Sequence, residues 1–284
     1  MTNSANAAGR FTFPGTDLSV NRMGYGAMQL AGPHVMGPPK DPDEAVAVLR
    51  EAVSLGIDHI DTSDFYGPHI TNQIIREALH PYPDDLVLVT KIGAWRDDAG
   101  AWNLQRDAAF LRQSVEDNLA RLGLERMDIV NLRMGGPEDD IATPMRTMRA
   151  LQDDGLIGHI GVSTVSARQV RVARDIAPVV CVQNHYNLAH REDDALIDAL
   201  AEDGIAYVPY FPLGGFSPLQ SATLDAVAAD MGTRPQKVAL AWLLARSPNM
   251  LVIPGTSRRT HLRENIEAAA LTFSAEQKAR LDAL

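Results

Sequence analysis

Short runs that are mostly apolar on both faces recur along this chain, and a helix-like segment separates each from the next. The runs are Asn21 to Ala27, Asp58–Asp61, Leu86–Lys91, Asp128–Leu132, a run ending at Ser163, Val179–Gln183, Ala206–Tyr210 and Met250–Ile253. Strands buried on both faces and joined by helices belong to parallel sheets. Eight such units close into a (β/α)8 barrel, and 284 residues suit that fold as one domain. The competing fold is a doubly wound open sheet. It would carry a Gly-x-Gly-x-x-Gly turn near the N-terminus, and Met23-Gly24-Tyr25-Gly26-Ala27-Met28 lacks that pattern.

Helix punctuation agrees with the alternation. A helix opens at Asp41-Pro42-Asp43-Glu44, with acids and proline in its first turn, and Gly56 ends it. Another starts at Asp107, carries Leu111, Val115, Leu119 and Leu122 on one face, and closes at Gly123. Further helices are expected from Ile70, over Pro144–Gln152, Ala167–Ile176, Glu192–Glu202 and Pro235–Arg246, and from Arg259 and Ala275. Ahead of the first unit, Phe11 to Val20 reads as a hairpin turning at Pro14-Gly15-Thr16-Asp17. Residues 1–10 read as a flexible lead.

Composition narrows the function. A net charge of -10 spread along the chain argues against nucleic acid as a partner, so an anionic ligand needs a local basic or backbone site. The single cysteine, Cys181, lies in an apolar run and reads as a core residue, not a nucleophile. The first ten residues carry no apolar signal core, no run reaches membrane-spanning length, and the histidines show no metal-ligand spacing. A cytoplasmic protein without metal, membrane or nucleic-acid partner is expected, as a monomer or weak homo-oligomer.

In a barrel, chemistry sits where strands end. The second run ends on Asp61, Tyr66 follows five positions later, and the third run ends on Lys91. An acid, a phenol and an amine at adjacent exits suit proton transfer at a carbonyl. Each also has a plain structural alternative: a helix cap for Asp61, packing for Tyr66, a solvated surface for Lys91.

Six motifs in order then carry a resemblance. They are Ile60-Asp61-Thr62-Ser63-Asp64-Phe65-Tyr66-Gly67, Thr90-Lys91, Gly161-Val162-Ser163, Gln183-Asn184-His185-Tyr186-Asn187, Tyr210-Phe211-Pro212-Leu213-Gly214-Gly215 and Ile253-Pro254-Gly255-Thr256-Ser257. Over essentially its whole length the chain resembles the aldo-keto reductases. The resemblance implies a barrel with an N-terminal hairpin plug and an extra C-terminal helix. It also implies NADPH-dependent reduction of a small carbonyl compound without metal. Tyr66 would then be the general acid, Lys91 the cation that eases its proton away, and Asp61 the partner that fixes Lys91. Ser163, Gln183 and Asn184 would meet the nicotinamide carboxamide, and Tyr210 would stack on its ring. Phe211, Leu213, Gly214 and Gly215 would line the pyrophosphate channel, with Met28 also against the cofactor. Gly255, Thr256, Ser257 and Arg258 would hold phosphate at a helix start, with Arg258 or Arg259 at a 2′-phosphate. Glu264 and Asn265 would face the adenine. Gln29, His34, Phe65 and Trp95 would line the substrate pocket; Trp95 and Trp102, in the loop after Lys91, read equally well as a self-packed lid.

The resemblance has one departure. Arg133 takes the place of a histidine at the fourth exit. Arginine stays charged and offers a rigid fork of donors, so it suits an oxygen of the substrate better than a proton relay. A salt bridge away from the site is its structural alternative. This variant, with Gly26 to Pro33 and Gly37 to Lys40, is similar to a bacterial subgroup that includes pyridoxal reductases. Two rival readings are a nicotinamide-binding, redox-sensing subunit without turnover and a barrel hydrolase or isomerase.

Overall fold

The computed structural model describes residues 4–215 and 219–284. The chain begins with an antiparallel hairpin, β1 (Arg10–Thr12) and β2 (Ser19–Asn21). There follow β3 (Tyr25–Gly26), α1 (Pro42–Ser54), β4 (His59–Asp61), α2 (Ile70–Leu79) and β5 (Val87–Ile92). A second hairpin, β6 (Ala94–Arg96) with β7 (Trp102–Leu104), stands before α3 (Ala108–Leu122). The alternation resumes through β8 (Met127–Arg133), α4 (Ala142–Asp153), β9 (Ile157–Ser163), α5 (Ala167–Ile176), β10 (Val179–His185), α6 (Asp194–Glu202) and β11 (Ala206–Tyr210). Then come α7 (Ala222–Asp230), α8 (Pro235–Arg246), α9 (Arg259–Glu267) and α10 (Ala275–Asp282).

The helices start where side chains can satisfy free backbone donors. Asp41 accepts from the Glu44 amide, Asp107 from Phe110, and Ser166 forms a capping box with Gln169. Gly123 ends α3 in the left-handed conformation.

Seven strands form one parallel sheet in the order β11-β10-β9-β8-β5-β4-β3. Residues 250–255 close it. Met250 bridges Tyr207 on one side, while Val252 bridges Met23 and Gly255 bridges Gly26 on the other, all parallel. The ring is a (β/α)8 barrel. Its first and last members are the weakest. The run expected over Asn21 to Ala27 keeps only Tyr25–Gly26 as strand, and the eighth pairs through isolated bridges. The backbones crowd there: a Cβ on Gly26 would meet the Ile253 carbonyl oxygen at 2.5 Å.

The central strands of the ring bury both faces. On β5, Leu88 and Ile92 pack outward against the helices, while Val87 and Val89 join Ile129, Val208 and Leu251 inside the ring. Cys181 lies in that inner cluster; burial pushes its thiol up to about 12, and its Sγ donates to Asn131 Oδ1 at 3.3 Å. Phe13 and Val20 of the first hairpin pack into the same inner cluster.

Two expectations need correction. Residues 4–10 are docked, not loose: Ser4 caps a short 3-10 helix, Ala5 is buried, and its amide donates to the Leu55 carbonyl at 2.9 Å. Residues 1–3 of that expected flexible lead lie outside the described residues. Helix α7 adds an element to those expected from the sequence. Among the described residues no helix is long and apolar enough to cross a membrane.

Candidate active site

The strand register brings the first three residues together. Asp61 pairs with Val89, so Lys91 lies one inward step further along β5 and reaches back across the gap. Lys91 Nζ donates to Asp61 Oδ1 at 2.6 Å and to the Thr62 carbonyl at 2.8 Å. Both side chains are buried, with Asp61 3% and Lys91 4% exposed, so neither the helix cap nor the solvated lysine describes them. The second carboxylate oxygen accepts from Gln183 Nε2 at 2.8 Å. Lys91 Nζ also stands 5.2 Å from the centre of the buried Tyr66 ring.

The loop that presents Tyr66 is tied down at several points. Ser63 donates to the Lys91 carbonyl at 3.1 Å, Thr62 to Asn72 at 2.9 Å, and Arg121 to Asp64 at 2.7 Å. Gly67 turns the chain at φ 95°, a conformation that favours glycine.

Charge and burial oppose each other at this centre. Burial pushes the Tyr66 phenol above its ordinary value; Lys91 and, more weakly, Arg133 pull it down without cancelling the rise. Burial alone would lower Lys91, but Asp61 and Tyr66 outweigh it and hold the ammonium above its ordinary value. The result is a protonated phenol beside a fixed cation.

These groups open into a cavity of about 400 Å³, a size that suits a small ligand. Arg133, Gln183, Tyr210, Phe211, Leu213, Gly215, Gly255, Met28 and Gln29 line it with the triad. Among the described residues Arg133 forms no ion pair, which removes its salt-bridge alternative. Tyr210 is backed by a parallel ring, His185, at 5.5 Å. Ser163 is buried beside Gln183 in the register but does not line the cavity.

Several placements differ from the sequence reading. Trp102 lines the cavity and Trp95 does not. In the β6–β7 hairpin Arg96 pairs with Trp102 and Trp95 with Asn103, so the two tryptophans occupy opposite faces. Arg96 covers the Trp102 ring at 4.0 Å; both tryptophans are about equally exposed, Trp95 at 40% and Trp102 at 41%. Phe65 stands behind the wall, edge-on to both Tyr66 and Trp102 at 5.3 and 5.6 Å. His34 faces a second depression of about 610 Å³ that also holds Ser257 and Arg258 and shares Met28 and Gln29 with the cavity. Asn184 is engaged elsewhere: it donates to the Val165 carbonyl and to Asp193 and accepts from the Val165 amide. Arg259 is held by Glu44 at 3.0 Å, whereas Arg258 forms no ion pair among the described residues. Thr256 accepts from the Arg258 amide at 3.1 Å, Glu264 pairs with Arg234 at 2.6 Å, and Asn265 is buried; none of the three lines the cavity. The sequence reading missed Gly26, Pro212, Ile253 and Pro254 as lining residues and Arg96 and His185 as supports. Period-two alternation from Arg133 and Lys91 offered no hint of the supports, which come from the β6–β7 hairpin and from the last residue of β10.

The aldo/keto reductase family model matches residues 22–284. The chain belongs to the aldo/keto reductase family. It is an NADP-dependent oxidoreductase of carbonyl compounds. A pyridoxine 4-dehydrogenase of Escherichia coli strain K12 is 58% identical over 279 residues, covering 96% of this chain and 98% of the relative. A thermostable aldo-keto reductase solved with the inhibitor epalrestat is 29% identical, with a TM-score of 0.83 over 96% of this chain and 98% of the other. An aldo-keto reductase from Klebsiella pneumoniae in complex with NADPH is 23% identical, covers 93% of this chain and 91% of the other, and shares the fold with a TM-score of 0.77.

The cavity of this reductase fits a nicotinamide cofactor on two observations. Gln183 Oε1 is buried without a hydrogen-bond partner among the described residues, an acceptor suited to a carboxamide N–H. Gly26 and Gly255 face one another so closely that a Cβ on Gly255 would meet the Gly26 carbonyl at 2.7 Å, leaving backbone bare along one side. Among the described residues no group of three metal-ligating side chains converges.

Proposed function

We propose that this enzyme reduces an aromatic aldehyde to its alcohol, with pyridoxal as the substrate and pyridoxine as the product. The observation that carries the chemistry is the buried Lys91–Asp61 pair beside Tyr66 at the base of the cavity. The 58% identity to a pyridoxine 4-dehydrogenase supports the substrate.

The chemistry that bound NADPH supplies is a hydride to the carbonyl carbon. Tyr66 donates its proton to the carbonyl oxygen as the π bond breaks. The phenolate left on Tyr66 is held by the Lys91 ammonium until solvent returns the proton. Asp61 keeps Lys91 charged in a dry site, and Gln183 keeps Asp61 oriented. Gln183 and Ser163 take the carboxamide end of the cofactor and Tyr210 its ring. Met28, Phe211, Leu213 and Gly215 line its course, and Gly255, Thr256, Ser257 and Arg258 take the phosphate end. Glu264 and Asn265 on α9 are the candidates at the adenine.

The first hairpin acts as a plug of the barrel floor, which the packing of Phe13 and Val20 among inward residues supports. Helix α10 is the extra C-terminal helix. The chain works as one domain, monomeric or weakly associated, in the cytoplasm; its net charge of -10 supports a freely soluble state.

A carbonyl panel with NADPH and NADH tests this reading. Pyridoxal reduction with NADPH preferred is the expected result. Failure to bind NADPH at micromolar concentration removes the cofactor and the reaction together; turnover of nitrobenzaldehyde or methylglyoxal but not pyridoxal removes the substrate alone.

A further inference from the structure

Arg133 ends the inward stripe of β8 at the cavity mouth. It is half-buried and lacks an ionic partner among the described residues. Asp61 is the only acid among the residues that line the cavity, and Lys91 and Gln183 already occupy both its oxygens. Among the described residues the Arg133 charge therefore has no ionic partner. A half-buried guanidinium that faces the cavity without an ionic partner suits an acceptor oxygen from a ligand.

The surroundings set where that oxygen sits. The Trp102 ring lies 5.9 Å from the guanidinium, edge-on to Phe65, which is edge-on to Tyr66. Phe65 thus buttresses Tyr66 and Trp102 from behind, and Tyr66, Trp102 and Arg133 line the same cavity. Arg133 is also near enough to Tyr66 to favour its phenolate. A flat substrate held against Trp102 in that cavity would place its carbonyl oxygen at Tyr66 and a neighbouring oxygen at Arg133.

We infer that Arg133 is a specificity-determining residue that selects aromatic aldehydes carrying a hydroxyl or oxyanion ortho to the reacting carbonyl. This rests on the aldehyde reduction proposed above and specifies its substrate class. The paired donors of Arg133 bind the ortho oxygen, and Trp102 packs against the ring. The two contacts fix the carbonyl carbon in one orientation.

The test compares substrates that differ by the ortho oxygen: pyridoxal against pyridine-4-carbaldehyde, and 2-hydroxybenzaldehyde against benzaldehyde. The wild-type enzyme is expected to favour the oxygen-bearing member in kcat/KM by about ten- to a hundred-fold, the range of a hydrogen bond to a charged group. R133M is expected to bring both ratios near unity, and R133K to retain an intermediate preference, because it keeps the charge and loses the fork. Titration of the wild-type enzyme in its NADP+ complex with pyridoxine and with pyridine-4-methanol reads the same preference without turnover. It needs no variant to fold. No preference in the wild-type titration, or ratios kept intact in R133M, would overturn the role of Arg133 while leaving the reductase reading in place. Reduction of no aldehyde in either series would overturn both.

Discussion

On β5 the inward stripe reads Val87, Val89, Lys91, and on β8 it reads Ile129, Asn131, Arg133. On β10 Cys181 is followed by Gln183, and on β4 His59 by Asp61. Near the first hairpin Val87, Val89, Ile129 and Cys181 form an apolar cluster with Phe13 and Val20, whereas β4 places the buried His59 there; at the other end the stripes carry charge. The same strands thus hold two interiors of opposite character. The apolar half gains from burial directly. The charged half loses hydration: the fully buried Asp61 and Lys91 are tolerable because they pair with each other, while Arg133 is only half-buried and opens onto the cavity. That division lets the barrel keep a costly site on a scaffold stabilised elsewhere.

The comparison can be broken at either end. The largest effect is expected for Tyr66→Phe, which should lower kcat for reduction by about a hundred- to ten-thousand-fold while NADPH affinity, read by fluorescence titration, persists. Near-normal turnover would mean that another group supplies the proton. Next, Lys91→Met leaves Asp61 buried without its cation. Urea unfolding should then show a loss of about 3–5 kcal/mol, and adding Asp61→Asn should recover part of it. Equal losses in the single and double variants would show that the pair is not a coupled buried charge.

In the apolar half, Ile129→Ala should cost about 2–5 kcal/mol of stability and leave KM for the carbonyl substrate alone. A KM change as large as the stability change would erase the distinction between the two halves. The smallest effect concerns pH. Burial holds the Tyr66 phenol above its ordinary value, so it is protonated throughout the neutral range. Reduction, which needs the phenol, should be flat with pH until the ordinary tyrosine range near about 10 is passed. Oxidation of the alcohol needs the phenolate and should rise with pH over the same span. A reduction rate that falls between neutrality and mild alkali would contradict the raised value.

Much of the charged half was legible because strand ends are marked in sequence. A short apolar run, a polar last residue and a breaker place Asp61, Lys91, Arg133 and Gln183 at exits without any coordinates. The placements that failed depend on facts outside that pattern. Which tryptophan faces the cavity depends on the pairing of Arg96 with Trp102, a register that the intervening loop sets. Arg258 and Arg259 are alike in sequence, but Glu44, 215 positions away, occupies only Arg259. Asn184 follows Gln183 in the chain and therefore points to the opposite side of the strand, where Val165 and Asp193 take it.

By itself the sequence determined the barrel and the order of its units, and it put Asp61 and Lys91 at strand exits; the proposed roles of Tyr66 as proton donor and Lys91 as its cation rest on the family resemblance. The barrel and its exits follow from local periodicity. Tertiary structure alone decided which charges are paired. Asp61 is satisfied by residues 30 and 122 positions away, while Arg133 is left with none among the described residues. Whether a charge is neutralised or available depends on what lies within hydrogen-bond reach, and in a closed barrel those neighbours come from distant parts of the chain.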